Sequence, residues 1–447
     1  GFVERSQAVT RLLHDRRTTF VVVTTLEAAP LHEAEFFVDV LQDKKLHLGA
    51  LVLNKVLPDY LLSPDGDHAA SVLERESETL AETLAADAVP GLDDVAPTAR
   101  VLRTLGDSFR NYEVVARREA HGSYLKRHPH IAKGQLFPQL IVELYLKTKD
   151  KTWKGKPLVA DDPLMDYRDG DTQIRLLNPA KPIHGQEPFL VLPTADVFAR
   201  PDEWTIFPEM RKIVRQTFLV LEKAWQLEGG TLVDLKVEFG HDPKGRLLLA
   251  DVIDNDSWRV VEDGSYIDKQ VYREGGALDD VAAKYRRVAD ITSRFRLPRQ
   301  QILLWRGSES DRTDAFSHAL GELADLMTIV TCSIHKEPVR GASVLHRMIQ
   351  EVPDTVVIAN IGRSNGAGPV LSAMSTVPVI TVPASAKDFP EDVWSSLRAP
   401  SNVPVMTVLE PANAVLAALQ ILSARNPRIY ARVRGEIESR TVNTIPL

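Results

Sequence analysis

The sequence predicts an α/β protein in three parts: an α/β N-terminal segment, an α+β middle domain and a doubly wound parallel sheet at the C-terminal end. Two patterns carry this. In the last third, apolar runs of strand length alternate with helical stretches, as for strands buried on both faces of a parallel sheet. In the middle third the texture changes to period-2 alternation, more aromatics and longer loops. At 447 residues the chain exceeds what one ordinary core supports.

In residues 1–112, RTTFVVVTTL (Arg17–Leu26) and LGALVLNKVL (Leu48–Leu57) read as parallel strands, with His32–Lys45 as the helix between them. Asp65–Val89 is acidic, rich in Ala and Leu, and helically spaced, with one solvated face. In residues 113–298, Lys147–Pro157 and Leu176–Pro188 are turn-rich connections. Glu209–Gly230 is an amphipathic helix closed by a glycine pair. TLVDLKVEFG, HDPKGR and LLLADVIDND then read as a hairpin: strand, Pro/Gly turn, strand. Asp279–Gln300 is a charged helix and a short linker around Pro298. In residues 301–447 the strands ILLW, TIVTC, TVVIAN, VPVITVP and VPVMTVL alternate with helices.

Composition narrows the function. A net charge of −7 and a pI near 6.0 argue against nucleic acid as the main partner. No stretch approaches the roughly 18 apolar residues of a membrane span. Cys332 is the single cysteine, which excludes an intrachain disulfide and fits a reducing cytoplasm. The first residue is Gly, as after trimming or within a longer reading frame. No G-x-x-x-x-G-K-[ST], HExxH or CxxC occurs, and HEAEF at His32 lacks the second histidine of a zinc motif.

Three loops follow three successive strands. GSESD (Gly307–Asp311) follows ILLWR, SIHK (Ser333–Lys336) follows TIVTC, and GRSNGAGP (Gly362–Pro369) follows TVVIAN. At the carboxyl edge of a parallel sheet such loops converge on a ligand, here a small phosphorylated molecule. The glycines allow close backbone approach. His335 and Lys336 are an acid/base and phosphate-clamp pair, although a lone histidine after a strand is commonly structural. Cys332 reads as a buried strand residue. The second concentration is the hairpin, where Asp234, Lys236 and Glu238 share one face and pairing brings Glu238 near Asp251. Converging carboxylates suit Mg²⁺. A solvent-facing hairpin decorated with charges, including Asp254 and Asp256, fits the same spacing.

From about Tyr112 onward these residues resemble the animal-type bifunctional enzyme of de novo purine synthesis, which joins SAICAR synthetase to AIR carboxylase. The motifs are HGSYLKRHP (His121–Pro129), LVDLKVEFG (Leu232–Gly240), LADVIDNDSWR (Leu249–Arg259) and DKQVYR (Asp268–Arg273), then GSESD, SIHK, GRSNGAGP and DVWSSLRAPS (Asp392–Ser401). The resemblance implies a SAICAR-synthetase-like α+β domain, residues 113–298, and a carboxylase domain, residues 301–447. It implies Glu238 and Asp251 as Mg²⁺ ligands and Lys236 as a nucleotide or substrate contact. Ser123, Arg127, Lys269 and Arg273 would hold the ribotide and aspartate. In the carboxylase, Gly307, Ser308 and Asp311 would bind the ribose phosphate of aminoimidazole ribonucleotide (AIR), with Lys336 and Ser333 beside it. His335 would move the ring proton, and Arg363, Ser364, Asn365, Gly366 and Gly368 would frame the CO₂ pocket. The implied substrates are AIR, CO₂, the carboxylated product CAIR, aspartate and ATP. The synthetase needs ATP and Mg²⁺, the carboxylase no cofactor, and the assembly is a homo-octamer; the C-terminal helices from Asn413 onward are candidates for its packing, and the same apolar face fits internal core equally. SIHKEP stands where the family has SAHKGP, so Ile334 and Glu337 are expected to crowd that turn and bring negative charge to the phosphate.

Residues 1–112 do not match that family and lack the Y-E-G-K-type hairpin that opens a synthetase, so synthetase activity is expected to be weak. TTFVVVTTLEAAPLHEAEFF (Thr18–Phe37) and LVLNKVLPD (Leu51–Asp59) instead resemble the C-terminal half of arsenite-pump-like ATPases, with Asn54 as the adenine contact. A nucleotide-binding targeting ATPase and a non-catalytic assembly protein are the alternatives. The join near Asn111–Ser123 suits a natural fusion, a chimera or a misassembled gene.

Overall fold

The computed structural model describes residues 14–15, 18–24, 28–53, 109–148, 150–168, 170–198, 202–241, 246–250, 252–267 and 278–440. The backbone divides into two compact units, Gly1–Arg110 with Gly240–Leu248, and Asn111–Phe239 with Leu249–Leu447. In the first, β1 (Phe20–Thr24) and β2 (Leu48–Leu53) pair in parallel, and α1 (Ala28–Asp43) lies between them in sequence. Val22, Ala34 and Leu41 form their buried core. The predicted strand–helix–strand order is present among the described residues. Asp65–Val89 and Asn54 lie outside the described residues.

The second unit opens on an antiparallel sheet. Its strands are β3 (Phe109–Glu119), β4 (Leu136–Leu146), β5 (Leu164–Asp166), β6 (Gln173–Leu177), β7 (Leu190–Pro193), β8 (Thr231–His241), β9 (Trp258–Glu262) and β10 (Ser265–Tyr266). They are ordered β10-β9-β8-β3-β4-β5-β6-β7. A one-turn helix, α2 (Ser123–Arg127), follows β3, and α3 (Ile206–Leu227) precedes β8. Phe207, Met210, Val214, Phe218 and Trp225 recur at helical spacing in α3, and all are fully buried. The predicted hairpin forms: a short strand, Leu247–Leu249, pairs with β8, which also pairs with β9 through Thr231↔Val261 to Leu235↔Trp258. Its second strand ends sooner than the alternation suggests, and a turn follows in which Asp254 Oδ1 accepts the Asp256 amide at 2.8 Å. Local Asx-turn chemistry overrides the alternation there. A helix, α4 (Leu278–Thr292), leads on to the last sheet.

That sheet is wholly parallel. It is built from β11 (Gln300–Arg306), α5 (Asp314–Leu320), β12 (Met327–Thr331), α6 (Pro338–Glu351), β13 (Asp354–Ile361), α7 (Ala367–Ala373), β14 (Val379–Pro383), β15 (Val405–Thr407), α8 (Pro411–Ser423) and α9 (Pro427–Arg440). The strand order is β12-β11-β13-β14-β15. Alternate strand residues enter opposite cores, as a pleat requires. Ile302, Leu304, Val356 and Ile358 pack with Ala414, Val415 and Leu419 of α8. Leu303, Trp305, Val357 and Ala359 pack on the other face with Leu345 and Leu371. The apolar face of α8 is therefore internal core rather than a subunit contact. The next helix, α9, lies along α3, where the Tyr430 hydroxyl donates to Glu222 Oε2 at 3.0 Å.

Candidate functional site

With β11 and β13 adjacent at its centre, the parallel sheet has its topological switch between the loops that leave these two strands. One carboxylate joins them. Asp311 Oδ2 accepts the amides of Gly307 and Ser308 at 3.0 and 3.1 Å, and Oδ1 accepts the Gly362 amide at 3.2 Å. A Cβ on Gly362 would lie 2.7 Å from that oxygen, so the approach requires glycine. The charge of Asp311 is thus spent on the loops, which it aligns for a ligand. Asp311→Asn replaces one acceptor oxygen by an amide, and is expected to destabilise the fold by about 1–3 kcal/mol, read by chemical denaturation.

The GRSNGAGP loop is held from beneath. Asn365 is fully buried; its amide donates to Asp392 Oδ1 at 3.0 Å, its Nδ2 to Ser396 Oγ at 3.0 Å, and its Oδ1 accepts Thr381 Oγ1 at 2.8 Å. Gly368 sits on the same threonine, where a Cβ would meet Oγ1 at 2.4 Å. Gly368→Ala should therefore cost about 1–3 kcal/mol through overpacking, measured as a lowered Tm. Above this support, Ser364 Oγ accepts the Gly366 amide at 3.3 Å, and the Arg363 guanidinium lies 3.8 Å from the centroid of Phe389. His335 is exposed, and a Cβ built on Gly366 would lie 3.9 Å from His335 Nε2 and 3.4 Å from Ser364 Oγ. Imidazole, hydroxyl and bare backbone face one space.

The SIHK turn is wound by the Ser333 carbonyl, which accepts the amides of Lys336 and Glu337 at 3.1 and 2.8 Å. Lys336 is exposed. Ile334 does not crowd this turn: it is 2 % exposed and points into the core, against Gly341. Glu337 is neutralised by Arg340 at 2.8 Å.

A second candidate site lies on the antiparallel sheet. A cavity of about 290 Å³ is lined by residues that include Glu113, Arg117, Ser123, Tyr145, Asp234 and Lys236. Arg117 is its centre. Its Nε donates to Glu143 Oε2 at 2.8 Å, its Nη1 to Asp234 Oδ2 at 2.7 Å and its Nη2 to Ser123 Oγ at 3.3 Å. Arg259 Nη1 reaches the same Asp234 oxygen at 2.6 Å. Beside them, Lys236 Nζ lies 2.9 Å from Glu113, and Lys147 Nζ lies 2.9 Å from Glu238. Burial would raise the Glu143 carboxyl, but Arg117 and Arg127 overcome this and hold it at about 2. Burial likewise opposes Glu113, and Lys236 and Lys147 hold it below the usual carboxylate range.

A SAICAR synthetase family model matches residues 198–291, and an AIR carboxylase model matches residues 301–442. The probable multifunctional protein ADE2 of Caenorhabditis elegans is 35% identical over 341 residues, which is 72% of each chain. The chain belongs to the bifunctional AIR carboxylase/SAICAR synthetase family. The bifunctional phosphoribosylaminoimidazole carboxylase/phosphoribosylaminoimidazole succinocarboxamide synthetase of Rattus norvegicus is 31% identical, again over 72% of each. The solved Treponema denticola PurE is 28% identical over 31% of this chain and 90% of its own, with a TM-score of 0.30. Neither family model extends into residues 1–112.

In the synthetase domain, Ser123 and Lys236 line the cavity, whereas Arg127 is 1 % exposed and sits in an ion pair with Glu143 between the rings of Tyr124 and Tyr145. Glu238 faces Lys147, and the backbone bond from the Ala250 amide to Glu238 O, 3.0 Å, brings the segment before residue 251 against β8. Asp251, Lys269 and Arg273 lie outside the described residues, as does Asn54. In the carboxylase domain, Gly307, Asp311, His335, Ser364 and Gly366 are brought together, while Asn365 and Gly368 support them from inside. The alternation that placed Asp234 on one face with Lys236 matches the cavity lining, whereas Arg117 and Arg259 were not singled out by sequence. The available signal was an arginine pair within an otherwise apolar strand, EVVARRE.

Proposed function

We propose that the chain carboxylates AIR with CO₂ and condenses the product with aspartate using ATP, two steps of de novo purine synthesis. The observation that carries the reading is the single carboxylate, Asp311, that ties the GSESD and GRSNGAGP loops together beside the His335 imidazole. In the carboxylation, the electron-rich ring carbon of AIR bonds to CO₂, and the ring proton at that carbon passes to His335. The Ser308 hydroxyl, on the loop that Asp311 aligns, takes the ribose phosphate with Lys336, and Ser364 with Gly366 frames the incoming CO₂. In the synthetase, the carboxylate of CAIR is phosphorylated by ATP, and the aspartate amine displaces phosphate. Arg117 and Ser123 fit the ribotide side of that cavity, and Lys236 the nucleotide or substrate.

Glu238 and Asp251 would hold Mg²⁺, which would neutralise the ATP phosphates when bound. Glu238 supplies an oxygen donor suited to that cation, which would take the place of Lys147, now 2.9 Å from it. Octamers fit the exposed apolar side chains Ile329 of β12 and Val339 of α6. Among the described residues no helix is long and apolar enough to cross a membrane, and we place the enzyme in the cytoplasm. For residues 1–112, the arsenite-pump-like reading rests on the sequence resemblance alone, since a parallel β1–α1–β2 unit is common to many α/β folds. ATP turnover without AIR or aspartate would support it, and octamers devoid of carboxylation would support the assembly protein.

A spectrophotometric assay with AIR and bicarbonate, with and without ATP and aspartate, tests the main reading. CAIR formation independent of ATP, followed by product formation only when ATP and aspartate are added, is expected. Absence of ATP-independent carboxylation would refute it.

A further inference from the structure

The ladder between β3 and β4 is broken once, between Arg117↔Ile141 and Glu119↔Leu136. Residue 118 therefore faces the stretch 137–140, an irregularity in the sheet beneath the synthetase cavity. The groups freed by that break are taken up by α9, the last helix of the carboxylase domain. Glu438 Oε2 accepts the Leu140 amide at 2.9 Å, Gln139 Nε2 donates to Glu438 O at 3.0 Å, and Arg434 Nη2 donates to Pro138 O at 2.8 Å. Arg118 bridges both sides, with Nη1 on Phe137 O at 3.1 Å and Nη2 on Glu438 Oε1 at 2.6 Å. Glu438 is 3 % exposed and Arg118 is 4 % exposed. The pair is part of a desolvated network, in which Arg118 Nε also donates to Glu222 Oε1 at 2.6 Å and Arg434 Nε to Glu438 Oε1 at 2.8 Å, and such a network is specific in geometry.

Neighbouring residues on a strand point to opposite faces. Arg118 meets α9 on one face, and Arg117 meets Glu143 and Asp234 in the cavity on the other. Glu143 and Tyr145 lie on β4 past the break, paired with Val115 and Glu113, so the register decides whether Glu143 comes within reach of Arg117. We infer that Glu438, supplied by the carboxylase domain, is a positioning residue of the synthetase: it fixes the β3/β4 register that places Arg117 and Glu143 for the carboxylated ribotide. The two activities are thus joined by more than a linker. The synthetase site is incomplete without the carboxylase domain's final helix.

This rests on the Arg117 cavity being the synthetase site. The test compares Glu438→Gln, Glu438→Asp and Arg434→Ala in the full chain, with Arg117→Ala in parallel. Displacement by a fraction of an ångström is expected to raise the CAIR KM of the synthetase about tenfold in Glu438→Gln. The synthetase kcat should change less, AIR carboxylation should stay within about twofold, and Glu438→Asp should regain part of the loss. Should Glu438→Gln not accumulate as folded protein, Arg434→Ala carries the same comparison, because it removes only the Pro138 and Glu438 contacts of an accessible side chain. An unchanged CAIR KM, or equal loss of both activities, overturns the inference. Unchanged synthetase kinetics in Arg117→Ala would instead remove the cavity reading itself.

Discussion

His335→Asn is expected to lower AIR carboxylation by about 10²–10⁴-fold, the usual contribution of a placed general acid or base. The imidazole is exposed and stands beside Gly366 and Ser364, so the substitution removes chemistry without opening the core. Stability should stay within about 0.5 kcal/mol of the parent, as for most exposed substitutions. Asparagine keeps polarity and approximate shape but cannot accept and return a proton near neutral pH. The loss should therefore appear in kcat, with the KM for AIR changed little, because the phosphate is held by other groups. Rates would be followed by CAIR absorbance under saturating AIR and bicarbonate. A near-parental kcat would mean that water or another side chain takes the ring proton.

The parallel sheet was legible because its strands are continuous apolar runs closed by glycine or polar loops, and both signals are local. The convergence of GSESD and GRSNGAGP was legible for the same reason. What Asp311 does was not: the Gly362 amide it holds is 51 residues away, and only the folded sheet brings it close. Alternation rightly placed Lys236 and Glu238 on one face of β8, where they are half-buried between buried neighbours. It also gave Leu247–Leu249 as the partner strand but overran its end, because nothing in LADVIDND reports that Asp254 and Ser257 close a turn. Ile334 was misjudged because a turn residue's direction is set by packing, here the space left by Gly341. Nothing local in the Arg117–Arg118 pair marks it as a site. In a strand covered on both faces they are buried on opposite sides, each with its own carboxylates.

Arg117→Ala is expected to reduce the synthetase activity at least about 10²-fold while sparing carboxylation. Three acceptors converge on this guanidinium, so its removal strips Glu143 and Asp234 of a shared counter-charge within a buried site. Breaking such a pair costs about 3–5 kcal/mol, which urea unfolding of the full chain would register as an earlier first transition. Arg117→Lys should not restore the enzyme, because one ammonium cannot serve Glu143, Asp234 and Ser123 together as the planar guanidinium fork does. The same cluster predicts an acid limb. Glu143 is held at about 2, below its ordinary value near 4.5, so its stabilisation is complete above about pH 4.5 and is lost as pH falls toward 2. Glu113, also depressed by its lysines, adds to that limb in the same direction. Glu143→Gln should be less stable than the parent at pH 7 and should show a shallower loss between pH 5 and 3, as expected when a titrating carboxylate is removed. An unaltered acid slope in that variant would place the titrating group elsewhere and detach Glu143 from the Arg117 network.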